Sequence, residues 1–417
     1  MSDRRRTLTR LSGNLFDQVL SALSNVALSV FVARSVDALG FGSFSVAFLV
    51  YGIFFASMKS LVGQPLQIRY SSAEPEELSR RVSQGAGTTL VVSVVAAAGV
   101  ALVGTLMGGT TGEALLMLAI WLPSLLIQDF ARMAFFALGR PWSAAIIDGV
   151  WAAVQFPLLA VVILSGNPTL DLLMGAWGVG ATVSGLLGLV LLRALPRFGG
   201  VVSWAREQRT LSTYLLSEYV LGLGAAQIGT LLVGVMVGQT AVGSLRAAQV
   251  LLGPLGILGT AAFQFAVPEV ARRTTMTSSQ LRTFGLGVSG GLLALHIVYV
   301  TALLVMPDEW GAELFSDSWH GASLVLLPMA LATCFSCLAN GPAGVLYGLG
   351  HARATFRINL FKGPLIVVLL IGATALWGVV GSAWAFMAIE IIILPFWIVT
   401  LYRASARPRP LEPVPAT

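Results

Sequence analysis

The chain has 417 residues, 56% of them hydrophobic and only 11% charged, with a net charge of +6 and a mean hydropathy of +0.84. That apolar excess excludes an ordinary soluble domain, and in lipid only helices or closed barrels satisfy every backbone N–H and C=O internally. The runs are ~20 residues long rather than alternating ~10-residue strands, so the expected fold class is an all-α polytopic membrane protein.

Twelve spans are predicted in chain order, at 14–33, 41–63, 83–107, 113–136, 143–165, 171–192, 212–237, 243–267, 283–306, 321–347, 355–376 and 379–401. The first follows an arginine-rich start that resembles a signal peptide. Asn14, Asp17, Gln18 and Asn25 interrupt its apolar stretch, and the expectation is an uncleaved helix. Arginines then fall in alternate loops: Arg4, Arg5, Arg6 and Arg10; Arg69, Arg80 and Arg81; Arg140; Arg193, Arg197, Arg206 and Arg209; Arg272, Arg273 and Arg282; Arg353 and Arg357; and Arg403, Arg407 and Arg409. The opposite loops, 108–112, 166–170, 238–242, 307–320 and 377–378, carry no Lys or Arg. By the positive-inside rule both termini are cytoplasmic and the chain belongs in the plasma or inner membrane. The basic pI follows from this asymmetry and points to the lipid bilayer as partner, not to nucleic acid. The proline-rich tail 403–417 reads as disordered.

The halves resemble one another, as in many secondary transporters. Phe41-Gly42-Ser43 opens the second span and Val242-Gly243-Ser244 the eighth. Pro65 and Arg69 fall opposite Pro268 and Arg272, Asp17 opposite Glu218, and Asp148 opposite Asn359. Ala137-Leu138-Gly139-Arg140 lines up with Gly348-Leu349-Gly350-His351. Six helices per half make the repeat parallel. The expected domains are an N-terminal lobe over 1–205 and a C-terminal lobe over 206–402.

Two stretches, VARSVDALGFGSFSVAFLVYGIF from Val32 and VGSLRAAQVLLGPLGILGTAAFQFAVPEVARR from Val242, carry a family resemblance. So do the junctions FFALGRPWSAAI from Phe135 and LYGLGHARATFRI from Leu346. Together they resemble the polysaccharide (oligosaccharidyl-lipid) flippases of the multidrug/oligosaccharidyl-lipid/polysaccharide (MOP) exporter superfamily. The resemblance implies two six-helix lobes in a V, alternating between inward- and outward-open states. The implied cargo is a polyprenyl-diphosphate-linked oligosaccharide, with a glycan polymerase and glycosyltransferases of the same pathway as partners.

Ionisable residues inside a membrane are costly, at ~2.5–3.5 kcal/mol each on insertion scales, and each is a functional candidate. Lys59, about six residues inside helix 2, either meets the substrate diphosphate or pairs with Asp17. Arg34 and Arg246 stand as the other basic residues outside the cytoplasmic set, and either receive the diphosphate late in transport or snorkel to outer headgroups. Arg69, Arg272 and Arg273 either collect the anionic headgroup or anchor the inner helix ends. Asp129 and Arg132 share a helical face and are expected to pair. Asp148 and Glu269 are expected at the solvated rim. Asp17 and Glu218 suit a gating role, and Glu390, mid-span without an evident partner, suits proton coupling.

Three other features carry little. Cys334 and Cys337 form a CxxC with no second ligand pair, and read as small packing residues. No phosphate cradle or metal set appears, so no cofactor is expected. The three histidines are scattered, which disfavours a membrane-embedded glycan polymerase or acyltransferase. The principal alternative function is a proton- or sodium-coupled multidrug antiporter of the same fold, disfavoured by the basic balance of Lys59, Arg34 and Arg246.

Overall fold

A computed structural model describes the backbone of residues 3–71, 73–273 and 275–406, and their side chains except for 3–15 and 352. Arg4, Arg5, Arg6, Arg10 and Asn14 therefore have no described side chains, and Arg407, Arg409 and most of the proposed tail lie outside the described residues.

The described chain is helical throughout. In order, the helices are α1 (Asp3–Ser35), α2 (Ala38–Met58), α3 (Gln64–Tyr70), α4 (Pro75–Met107), α5 (Gly109–Ala137), α6 (Pro141–Leu164), α7 (Leu170–Leu192) and α8 (Val201–Tyr219). There follow α9 (Ala225–Val237), α10 (Gln239–Arg272), α11 (Ser278–Leu304), α12 (Asp308–Phe315), α13 (Trp319–Cys337), α14 (Asn340–Gly348) and α15 (Ala352–Ser405). Single π-helical turns at Lys59–Gly63 and Val220–Gly224 join α2 to α3 and α8 to α9.

Among the described residues, eleven continuous helical stretches are long and apolar enough to cross a membrane. The last contains α15, whose 54 residues would extend about 80 Å at ~1.5 Å per residue, far beyond a ~30 Å hydrocarbon layer. It is broken at Trp377 and Gly378, where Gly378 takes φ 61°. That left-handed conformation suits a residue without Cβ. The predicted spans 355–376 and 379–401 fall on its two arms.

The turns matched by the repeat close in the same way. Gly139 and Gly350 both have positive φ, at 65° and 80°. Arg140 N–H donates to Phe135 O and Gly139 N–H to Phe136 O; His351 N–H donates to Leu346 O and Gly350 N–H to Tyr347 O. Each is a Schellman motif, in which a glycine past the helix end lets the chain turn back and satisfy the last carbonyls. Pro141, fixed near helical φ, then starts α6 at its first position.

The chain forms two compact units. The first comprises residues 1–220 with 238–243 and 312–319. Its centre is α5, packed against α4, α6 and α7. Repeat-matched glycines meet in it: a Cβ on Gly243 would lie 3.1 Å from Gly42 Cα, and one on Gly42 would lie 2.3 Å from the Gln239 carbonyl oxygen. The second comprises 221–237, 244–311 and 320–417. Here α15 packs along α9 and α14, and α11 against α14, around a core that includes Val270, Leu281, Val345 and Leu401.

Candidate functional site

The first unit buries a charged cluster. Asp129 and Arg132 stand one turn apart on α5, and α6 brings Asp148 beside them because Ala131 and Phe135 pack against Ala144 and Ile147. From α7, Ser184 donates its hydroxyl to Ile147 O at 2.7 Å, holding α6 in place. From α1 comes Asp17. Arg132 lies 3.4 Å from Asp129 Oδ1, 3.4 Å from Asp148 Oδ2 and 3.7 Å from Asp17 Oδ2. The three carboxylates are almost wholly buried, while the arginine side chain keeps 16% exposure. Gln128 donates to Asp148 Oδ1 at 2.7 Å, and Arg132 donates to Ser21 Oγ at 3.3 Å.

Ser21, Gln128, Asp129, Arg132 and Asp148 border a cavity of about 160 Å³. Its apolar wall is aromatic: Tyr51 meets Trp177 edge-on at 5.1 Å, Phe48 stacks on Trp177 at 5.8 Å, and Trp151 donates its indole N–H to Trp177 O. One guanidinium faces three carboxylates, so with all groups ionised the cluster carries excess negative charge. In surroundings of low dielectric, such an excess strongly favours an incoming cation or a proton.

Lys59 begins the π-helical turn after α2 and is half-buried. The alternative of an ion pair with Asp17 is not seen: Asp17 Oδ2 lies 3.7 Å from Arg132 instead. Among the described residues Lys59 has no ion pair within 4 Å, although its charge acts on Asp129. π-Bulges inside helices are frequent at functional positions.

The remaining candidates do not gather around this cavity. Arg34 is exposed in the last turn of α1, and Arg69 is exposed and donates to Glu207 O at 2.9 Å. Arg272 and Arg273 are exposed at the end of α10, where Arg273 pairs with Glu269. Arg246 is half-buried in α10, and Glu218 half-buried near the end of α8.

Three expectations are corrected. Asp148, read as a solvated rim residue, is 5% exposed and belongs to the Arg132 cluster, because α6 turns it inward against Gln128. Glu269, also read as solvated, is ion-paired with Arg273 one helical turn away. Glu390 has a partner: Lys362 Nζ lies 2.6 Å from its Oε1 across the two arms of α15. Lys362 is a further intramembrane cation that the sequence reading passed over. Its signal was available, since it stands about 15 residues before the Trp377–Gly378 break and Glu390 about 12 after it, at similar depth.

Replacing Glu390 with Gln is expected to lower stability by about 1.5–3 kcal/mol, the range for hydrogen bonds to charged groups. Replacing both partners with apolar residues should recover most of that loss, because no charge is then left unpaired. Thermal unfolding of the detergent-purified single and double variants measures both; equal melting of Glu390→Gln and wild type would mean the pair contributes nothing.

No family model matches the sequence, and no curated protein matches it. Among solved structures, the chain is similar to the inward-closed lipid II flippase MurJ, with a TM-score of 0.70 and 12% identity over 92% of this chain and 86% of that one. It is similar to an inward-facing multidrug resistance MATE family transporter of the MOP superfamily, at TM-score 0.66 and 13% identity, covering 93% and 96%. A MOP superfamily transporter from Pyrococcus furiosus, whose binding pocket of reverse polarity suggests a different function, matches at TM-score 0.63 and 13% identity over 96% of both chains. The fold is that of a MOP exporter, and the protein is a multi-pass membrane protein.

Proposed function

We propose that this protein is an alternating-access transporter that moves a polyprenyl-diphosphate-linked oligosaccharide from the inner to the outer leaflet for cell-surface polysaccharide assembly. The observation that carries the cargo assignment is the state of Lys59. Three buried carboxylates of its unit are gathered on Arg132, and Lys59 has no ion pair within 4 Å among the described residues. A lysine within a membrane span is retained at considerable cost, and a diphosphate is the ligand that offsets it. Exposed Arg69, Arg272 and Arg273 suit collection of the same headgroup at the cytoplasmic face, and Arg34 and Arg246 its later reception. The lobe division near residue 206, the cytoplasmic termini and the partner polymerase and glycosyltransferases belong to the same reading.

For the driving ion we place coupling at Asp17 within the Arg132 cluster, rather than at Glu390, whose charge Lys362 meets. A buried carboxylate excess is the kind of group that loads a proton or sodium ion.

The test is flipping in proteoliposomes of a fluorescent polyprenyl-diphosphate oligosaccharide, read by its accessibility to an external glycan-cleaving enzyme. Lys59→Ala should slow flipping roughly ten- to a hundredfold, the equivalent of one charge-assisted hydrogen bond, while melting like wild type. Flipping that survives in Lys59→Ala makes the lysine structural.

A second reading rests on the negative excess around Arg132, which suits a cationic cargo. Wild-type protein that extrudes cationic dyes but flips no lipid-linked sugar would establish the drug antiporter instead.

A further inference from the structure

The second unit holds a cavity of opposite character, of about 350 Å³, at the lower end of the roughly 300–1,000 Å³ typical of ligand pockets. Among the described residues, no charged side chain lines it. It is bordered by Thr260 and Phe263 of α10, His296 of α11, Thr333 of α13 and Asn340 of α14. His296 and Thr333 lie near the middle of their membrane-crossing stretches, and Thr260 and Asn340 further along theirs, where polar groups are retained only with a reason.

The regular helical hydrogen bonding changes at the same place. Between α13 and α14 the helix breaks at Leu338–Ala339, and Ser289 of α11 caps the break: its hydroxyl donates to Leu338 O at 2.7 Å and accepts Gly341 N–H at 3.2 Å. The break is a change of hydrogen bonding: Leu338 N–H donates to Phe335 O and Ala339 N–H to Ser336 O, while Ala339 keeps helical backbone angles (φ −79°, ψ −19°). Asn340 is the first residue after the break. Gly259 makes room for it, since a Cβ at that position would lie 2.8 Å from Asn340 Nδ2.

The hydroxyl and imidazole groups present mainly acceptors. Thr260 and Thr333 donate their hydroxyl protons to Gly256 O and Ala330 O within their own helices. Their oxygens keep lone pairs for an incoming donor. His296, 3% exposed, has Nδ1 2.8 Å from Leu292 O. A carbonyl can only accept, so Nδ1 carries the proton and Nε2 of the neutral ring is left as an acceptor. Asn340 adds an amide that both donates and accepts. Phe263, held edge-on against Tyr347 at 5.4 Å, supplies an apolar face. Several acceptors, one amide, an aromatic plane and no charge suit a ring bearing hydroxyl groups and exposed C–H bonds. They do not suit a phosphate, which needs donors, or a drug cation, which is better met by carboxylates.

We infer that this cavity is a saccharide subsite that holds one sugar ring of the cargo, bound through Thr260, His296, Thr333 and Asn340 with its C–H face on Phe263. The inference rests on the flippase reading. It adds that the glycan is read by neutral groups of the second unit, separately from the diphosphate-binding charge assigned to Lys59.

The experiment measures binding of two fluorescent probes to the full chain in lipid nanodiscs: polyprenyl diphosphate without sugar, and the same lipid bearing an oligosaccharide. Wild type should bind the sugar-bearing lipid at least tenfold more tightly. Asn340→Ala and Thr260→Val should each reduce that advantage roughly three- to tenfold, the loss expected for one neutral hydrogen bond. Binding of the bare lipid should be unchanged, which also reports that each variant is folded. Thr260→Val serves as the safeguard, because it removes only a hydroxyl from an exposed position at the mouth. If both variants keep the full sugar-dependent advantage, the subsite is overturned and the flippase reading stands. If wild type binds both lipids equally, the subsite is likewise overturned. If it binds neither, both readings are overturned together.

Discussion

Arg132→Met should leave little folded protein. The guanidinium is the cation that three buried carboxylates share, at 3.4–3.7 Å. Breaking one buried ion pair by removing a partner costs roughly 3–5 kcal/mol, because the remaining charge stays desolvated and uncompensated. Here one substitution strands three such charges, against a total stability that is typically about 5–15 kcal/mol. The loss comes from the charges left behind, not from missing packing, so it should be recoverable. Adding Asp17→Asn, Asp129→Asn and Asp148→Asn to Arg132→Met leaves amides of similar shape and no charge, and this quadruple variant should regain most of the folded yield. Yield after size-exclusion chromatography and the melting temperature decide the matter. If Arg132→Met alone melts like wild type, the carboxylates are not held by Arg132. If the quadruple variant stays unfolded, the cluster acts by geometry and not by charge. A quadruple variant that folds and binds cargo but no longer responds to an imposed proton or sodium gradient would place coupling at this cluster.

The spans were legible because lipid imposes one rule on every helix: a length of apolar sequence, checked locally. The Schellman turns at Gly139 and Gly350 were legible as repeated Leu-Gly pairs, and the break in α15 as a gap of two residues at Trp377–Gly378. The pairing of Asp129 with Arg132 was legible too, since residues three apart on a helix share a face. What sequence spacing cannot carry is contact between helices. Asp17 lies far from Arg132 along the chain, and which face of α1 meets α5 depends on packing that no local pattern encodes. Asp148 stands close to the start of its span, which reads as a rim position. Depth along a helix says nothing of its azimuth, and α6 turns Asp148 toward α5. The neutral cavity was the least legible of all. Its members are common residues on four helices, and they become distinctive only when the break after Cys337 sets Asn340 against Gly259.

The contrast between the two units also bears on how a bulky amphiphile is handled. The first unit gathers three buried carboxylates from α1, α5 and α6 on Arg132 and walls its cavity with aromatic rings. The second pairs Lys362 with Glu390 away from its cavity, whose lining is uncharged. In the proposed reading a lipid-linked glycan places its dianionic link at Lys59, not at the negative Arg132 cluster, and its neutral polyhydroxyl head at the uncharged cavity. A small cationic drug has no use for the second.

Gly341→Ala tests the packing on which the neutral cavity depends, and its effect should be large. A Cβ at this position would lie 1.8 Å from Gly285 O and 2.6 Å from Ser289 Oγ. The first of these atoms is backbone and cannot swing aside, so α11 and α14 would have to separate along a seam where small residues allow close approach. Overpacking usually costs about 1–3 kcal/mol, and a backbone collision this short belongs at or above the top of that range. It would also pull Ser289 from the Leu338 carbonyl it caps, so binding of the sugar-bearing lipid should fall with stability. Gly291→Ala on the same α11 is the matched control. Nothing lies within 4 Å of a Cβ there, and exchanging glycine for alanine inside a helix should raise stability by roughly 0.5–1 kcal/mol. Thermal unfolding of the two variants side by side separates the site from the residue type. Equal melting of both with wild type would mean that α11 and α14 are not in the close contact described, and the capped break beside Asn340 would lose its support.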